Sequence, residues 1–116
     1  DVVAPFAHDH VLGTMAGATQ QDARAAVAAA KRAAPEWRRL SFDDRAAVFL
    51  KAAELLATKW RATLNAATML GQSKTAYQAE IDAACELIDF WRFNVHFARR
   101  ILEDLGRQRG LVVTGG

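Results

Sequence analysis

Four groups of residues in this chain carry side chains able to do chemistry. His8-Asp9-His10 sets two imidazoles one residue apart, half of a chelate. A zinc-type site needs a third ligand and usually a fourth. His96 stands alone and Cys85 is the single cysteine, so the triplet reads as a polar loop and no metal is expected. A catalytic thiol needs an activating base or a helix N-terminus. Cys85 falls in mid-helix between Ala84 and Glu86 and reads as a small structural residue. The pairs Arg38-Arg39 and Arg99-Arg100 lack the dense basic and aromatic clustering of nucleic-acid readers, and read as solvated helix ends. Glu86 is the anomaly, because it shares a helical stripe with Ala79, Ala83, Phe90, Phe93 and Phe97. A carboxylate in an apolar stripe must find a partner or accept a raised pKa. Two readings stay open: a salt bridge to an Arg or Lys on another helix, or a carboxylate aimed into a pocket completed by other parts of a larger protein.

No cofactor fingerprint accompanies these groups. Gly13-Thr14-Met15-Ala16-Gly17 lacks the G-x-G-x-x-G spacing and follows no buried strand, and no helix follows Val112-Val113-Thr114-Gly115-Gly116. At 116 residues, 52% hydrophobic and 24% charged, the chain is sized for one domain with a packed core. A net charge of +2, with basic and acidic residues interleaved, argues weakly for nucleic acid. No apolar run approaches the ~20 residues of a membrane span. The chain opens at Asp1 with no signal-peptide pattern, which raises the expectation of a processed or cut-down product.

The elements that must position these residues are helical. Residues 1–18, with Pro5, Gly13 and Gly17, read as extended chain or edge strand. Thr19 reads as an N-cap with Asp22 completing a capping box, and the Ala-rich run that follows carries a stripe of Ala23, Val27, Ala30 and Ala34. Pro35 is expected to end that helix. Ser41 opens a second helix, with Asp43 and Asp44 in its first turn and Ala46, Phe49, Leu50, Ala53, Leu56 and Ala57 inward. A third helix spans residues 60–70, with Leu64, Ala67 and Thr68 inward and Gly71 as its left-handed cap. Ser73 or Thr75 opens the last and longest helix, to about Leu102. Its second apolar stripe is Ala84, Ile88, Trp91, Val95 and Leu102, and its narrow polar arc is Asp89, Arg92, His96 and Arg99. A helix apolar on two flanks is buried on two sides, more than a small bundle can provide, so a larger protein is implied. After Glu103 the sequence reads as loop, with a strand stub over residues 111–114.

Three stretches closely resemble one family: Phe49-Leu50-Lys51-Ala52-Ala53-Glu54-Leu55-Leu56, Thr68-Met69-Leu70-Gly71-Gln72-Ser73-Lys74, and the run from Gln78 to Asn94 containing Gln-Ala-Glu-Ile-Asp and Glu-Leu-Ile-Asp-Phe. Pro5-Phe6 with His8 and His10, and Pro35-Glu36-Trp37, are similar as well. The family is the delta-1-pyrroline-5-carboxylate dehydrogenases, within the aldehyde dehydrogenase superfamily, and the likeness covers residues 3–103. The resemblance implies NAD-dependent oxidation of L-glutamate gamma-semialdehyde to L-glutamate in proline breakdown. It implies a Rossmann-type cofactor domain, a catalytic domain with a cysteine nucleophile, and a hairpin joining subunits. The nucleophile, general-base glutamate, oxyanion asparagine and cofactor glycines would lie beyond this chain, and Cys85 does not match the nucleophile motif. Glu86 aligns with a family glutamate near the aldehyde pocket, where it would face the amino-acid end of the semialdehyde. Residues 104–116 depart from the family pattern, which puts joining through the hairpin in doubt.

The resulting expectation is an all-α piece, four helices after an extended N-terminal segment, of the α/β NAD-binding domain of an aldehyde dehydrogenase fold. Its parts are the extended segment 1–18, the helical segment 19–103 and the atypical tail 104–116. The substrate-pocket residue is Glu86, with no catalytic, cofactor-binding or metal-binding residue in the chain. NAD belongs to the intact enzyme, and none is expected for this chain alone. The expected partners are the remainder of the dehydrogenase, or a second copy through the apolar last helix, with neither nucleic acid nor membrane. The location would be cytoplasmic in a bacterium or the mitochondrial matrix in a eukaryote. Two other classes remain: a free-standing helical interaction module using the Phe90-Phe93-Phe97 or Trp91-Val95 stripe, and, more weakly, a nucleic-acid binder through the Arg pairs.

Overall fold

Hydroxyl side chains start three of the helical runs. Thr19 Oγ1 accepts from the Asp22 N–H at 3.1 Å, and the Asp22 carboxylate accepts from the Thr19 N–H at 2.8 Å, closing a capping box. Ser41 Oγ accepts from the Asp44 N–H at 3.0 Å. Thr75 and Gln78 form a second capping box. Each satisfies donors that a helix end otherwise leaves orphaned. The computed structural model describes residues 1–108. Strands β1 (Val2–Ala4) and β2 (Ala7–Gly13) form an antiparallel hairpin whose register shifts between Val2 and Val3 and between Val3 and Ala4. Four helical runs follow: α1 (Gln20–Arg39), α2 (Phe42–Ala57), α3 (Arg61–Gln72), and a long composite of α4 (Ala76–Ala79), a π-helical segment (Glu80–Cys85) and α5 (Glu86–Gln108). The helical architecture matches the expectation, and the extended N-terminal segment is resolved into a hairpin.

The core is small and lies between α2 and the composite helix. Ala53, Leu56, Ala84 and Ile88 form it, with Ala57, Leu87 and Trp91 packed against it. α3 packs on α4 and the π-helical segment and touches β1. Little else is covered. The chain exposes 9143 Å², where a compact monomer of this mass exposes about 6,200 Å². Its radius of gyration is 19.3 Å, against about 13 Å for a compact chain of this length.

Several expectations are corrected. Pro35 lies inside α1, which continues to Arg39. Pro35 and Lys31 are both exposed, so water replaces the bond that the Lys31 carbonyl loses. The stripe Ala23, Val27, Ala30 and Ala34 is not buried, because no neighbour in the described residues covers α1, and Val27 is 58% exposed. On α2, Ala46, Ala53 and Leu56 are buried as expected, whereas Phe49 and Leu50 are exposed. α3 begins at Arg61 and runs through Gly71 to Gln72. Ser73, at φ 55°, takes the left-handed position expected of Gly71. Thr75, not Ser73, opens the last helical run, which extends past Leu102 to Gln108 with Gly106 buried inside it. The loop expected after Glu103 is therefore helix as far as Gln108, and the strand stub over 111–114 lies outside the described residues.

The two-flank expectation for the last helix divides. Ala84 and Ile88 are buried, and Trp91 and Val95 half-buried, against α2, while Leu102 is exposed. Phe90, Phe93 and Phe97 are more than half exposed, at 58%, 56% and 54%. With so small a core and so many bare aromatics, the chain expressed alone should show helical circular dichroism, a shallow thermal transition and strong binding of an apolar dye. A steep, cooperative melt without dye binding would mark a self-sufficient domain instead.

Candidate functional site

The densest polar constellation sits where α3 meets the π-helical segment. Glu80, the first residue of that segment, uses both carboxylate oxygens. Arg61 donates to Glu80 Oε1 through Nε at 2.7 Å and also through Nη2. Asn65, one turn along α3, donates from Nδ2 to Glu80 Oε2 at 2.5 Å. Cys85 completes the group, its Sγ 3.5 Å from Arg61 Nη2 and 3.7 Å from Glu80 Oε1. On the opposite side, Lys74 Nζ meets Asp82 Oδ2 at 2.7 Å. The segment is thus tied to α3 by one charged clamp and to the α3–α4 corner by another.

Hydrogen bonds from Arg61, then from Asn65, hold the Glu80 carboxyl below the usual glutamate range, and Glu80 in turn raises the Arg61 guanidinium. Both side chains are 37% exposed, so solvent screens the pair and its importance is geometric rather than energetic.

Between the clamps opens a groove of about 330 Å³. Leu64 and Thr68 of α3 form one wall, and Asp82, Ala83, Glu86, Leu87 and Phe90 the other. Glu86 is exposed at its rim and takes part in no ion pair among the described residues, which corrects both its expected burial and the alternative of a salt bridge to another helix. The groove offers a free carboxylate above apolar side chains, with the Asp82 charge matched by Lys74. Chemically, a carboxylate over apolar side chains can attract a cationic group carried on an aliphatic chain. The groove lining includes no thiol, since Cys85 contacts Arg61 and Glu80 instead.

The other candidates do not converge on it. His8, Asp9 and His10 are exposed on β2, and no group of three metal-ligating side chains occurs among the described residues. Arg38 and Arg39 end α1 in solvent. Arg99 pairs with Asp43 and lies 4.8 Å over the Phe42 ring. A second groove, of about 290 Å³, runs between the end of α1, α2 and α5, and includes Trp37, Phe42, Phe49 and Trp91. The Arg45 side chain lines it, and its buried Nε has no partner. Sequence reasoning missed the Arg61–Asn65–Glu80 clamp, because Arg61 and Asn65 lie 19 and 15 residues from Glu80 and each is an ordinary helix-surface residue.

These residues do not fit a dinucleotide. The two described strands form a hairpin rather than a parallel sheet, and a Cβ added at Gly13 or Gly17 would meet nothing within 4 Å, so neither glycine makes room for a ligand. The first long helix N-terminus is already filled by the Asp22 carboxylate, which repels a phosphate. No described helix is long and apolar enough to cross a membrane.

The clamp has a pH signature. A carboxyl whose folded pKa is lowered adds stability that is present above its unfolded pKa and lost as pH falls through the folded value. The Arg61–Glu80 contribution should therefore persist at neutral pH and fade only below about pH 4.3. Carboxyl-carbon NMR titration should find Glu80 below the usual glutamate range, and Arg61→Met should move it back up. An unchanged Glu80 titration in that variant would rule out the Arg61 contact as the cause.

The family model described as "Aldehyde dehydrogenase family" matches residues 1–111. A mitochondrial delta-1-pyrroline-5-carboxylate dehydrogenase of Dictyostelium discoideum is 50% identical over 96 residues, covering 83% of this chain and 17% of that protein. Its Homo sapiens counterpart, also mitochondrial, is 48% identical with the same coverage. The crystal structure of the Delta-pyrroline-5-carboxylate dehydrogenase from Mycobacterium tuberculosis, bound with NAD and cobalamin, superposes with a TM-score of 0.87 at 66% identity, covering 89% of this chain and 19% of that one. The chain therefore spans less than a fifth of the length of these relatives. The hairpin, the helices and the clamped segment described above are those of a portion of a larger fold, and the chain belongs to the aldehyde dehydrogenase family.

Proposed function

We propose that this chain is the N-terminal helical part of an NAD-dependent dehydrogenase that oxidises L-glutamate gamma-semialdehyde, derived from 1-pyrroline-5-carboxylate, to L-glutamate in proline catabolism. The reading is supported by similarity to such dehydrogenases across most of the chain. The observation that carries its site is the free Glu86 carboxylate at the rim of an apolar groove. Glutamate semialdehyde has an aliphatic arm, an aldehyde at one end and an ammonium and carboxylate at the other. Leu64, Leu87 and Phe90 suit the arm, and Glu86 suits the ammonium. In this arrangement Glu86 orients the substrate and takes no part in bond making. The reacting thiol, the water-activating base and the NAD cradle belong to other parts of the enzyme. NAD serves there as hydride acceptor, and water supplies the oxygen of the product acid.

Residues 19–103 would brace the cofactor domain after the hairpin-forming segment 1–18, with 104–116 as a divergent tail. The bare stripe of Phe90, Phe93 and Phe97, continued by Ile101, supports coverage by the remainder of the dehydrogenase, or by a second copy. The large exposed area weighs against a free-standing helical module. The enzyme would work in the mitochondrial matrix of a eukaryote or the cytoplasm of a bacterium.

In the full-length enzyme, Glu86→Ala should raise KM for the semialdehyde about 10- to 100-fold, the range set by losing one charge-assisted hydrogen bond. The KM for NAD should not change, and the isolated 116-residue chain should turn over nothing. Steady-state kinetics with each substrate varied checks the first claim. An unaltered semialdehyde KM would remove Glu86 from the pocket.

A further inference from the structure

A uniform α-helix would carry Ala79, Ala83 and Glu86 along one side. The structure does otherwise. The buried residues run Ala79, Ala84, Ile88, a step of five followed by a step of four. The step of five is the π-helical segment, in which the Glu86 N–H bonds to the Ile81 carbonyl, five residues back. One extra residue in a turn delays every later side chain by about 100° around the axis. Ala79 belongs to α4, which packs on α3, whereas Ala84 and Ile88 pack on Ala53 and Leu56 of α2, and the delay lets one helix bury all three. It also swings Glu86 and Phe90 out to the groove.

The segment starts at Glu80, whose N–H is shared between the Ala76 and Tyr77 carbonyls. Its side chain is the one that both Arg61 and Asn65 hold. The geometry points to Glu80 as a positioning residue: through Arg61 and Asn65 it fixes the start of the π turn, and so the angle at which Glu86 meets the substrate. This rests on the proposed role of Glu86 in the pocket. π turns inside helices are rare and are often found at functional sites. Here the turn has a mechanical task, since at a uniform α-helical rotation Glu86 would stand on the side of the buried Ala79 rather than at the groove rim.

The test is a set of variants of the full-length enzyme, read by kinetics and by crystal structures. Glu80→Ala should raise the semialdehyde KM at least 10-fold, with kcat and the NAD KM within about twofold. A role confined to stability would lower kcat and disturb both substrates together. Glu80→Gln, which keeps an oxygen for one of the donors, should recover much of the loss. Glu80→Ala combined with Glu86→Ala should be no worse than Glu86→Ala alone, because one residue acts through the other. The Glu80→Ala crystal structure should show the π turn lost or moved and Glu86 turned from the groove. Persistence of the turn with Glu86 in place overturns the proposal, as does additivity of the two substitutions. If Glu86→Ala leaves the semialdehyde KM unchanged while Glu80→Ala still abolishes the turn, the pocket reading of Glu86 fails and control of the helix register by Glu80 stands.

Discussion

The five-residue step from Ala79 to Ala84 is the constraint on which the rest of this structure depends. It is a matter of phase. The composite helix packs on two partners, on α3 through α4 and the π-helical segment, and on Ala53 and Leu56 of α2 through Ala84 and Ile88. Ala79 and Ile88 are nine residues apart, and at the α-helical rotation they would stand about 180° apart around the axis. The extra residue of the π turn cuts that separation to about 80°, so that Ala79 and Ile88 can both be buried in one helix. Packing of α2 on α5 and presentation of Glu86 in the groove are two results of the same shift. The clamp at Glu80 stands where the shift begins.

What the sequence discloses divides along locality. The caps at Thr19 and Ser41 are legible because each is closed by a residue three positions on, and both are found as read, while of the two openings read for the last helix, Ser73 or Thr75, the structure takes Thr75. The existence of four helical runs and the outward polarity of residues 8–10 are legible for similar reasons. Glu86 is recognisable as anomalous from the wheel, yet the wheel assumes a constant rotation. Its groupings of Ala83 with Glu86 and Phe90, and of Ala84 with Ile88 and Trp91, hold beyond the π turn, but it put the buried Ala79 on the stripe of the exposed Glu86. No local pattern over residues 80–85 announces a π turn, because its cause is non-local: Arg61 and Asn65 reach it from a different helix. Pro35 misled for the complementary reason. Its effect depends on whether the freed carbonyl is wet, and that is decided by the absence of a covering neighbour in the described residues.

The distribution of covered and bare surface agrees with membership of a larger assembly of elements. α1 buries none of its residues, and α5 is seated on one flank and open on the other. The Ala-rich face of α1, around Val27, and the aromatic face of α5 differ in what they could accept. The first admits close approach of another backbone, while the second offers broad, shape-specific contact. The aromatic face also lies next to the groove, since Phe90 belongs to both. Whatever covers Phe93 and Phe97 therefore borders the site as well.

The corner at Ser73 has a consequence for how this segment tolerates changes in length. Ser73 is the single non-glycine residue with positive φ among those described, and within two residues of it the chain passes from the end of α3 to the Thr75 cap. Lys74 leaves that corner directly for Asp82. An inserted or deleted residue here would displace Lys74 and turn α4 relative to α3, breaking both ties to the π turn at once. The stretch between β2 and α1, residues 14–19, has no such coupling, and α1 itself is bare. Length variation among natural sequences should therefore gather before residue 20 and be excluded from residues 72–80. The three-residue connection between α3 and α4 is thus the one whose length matters most.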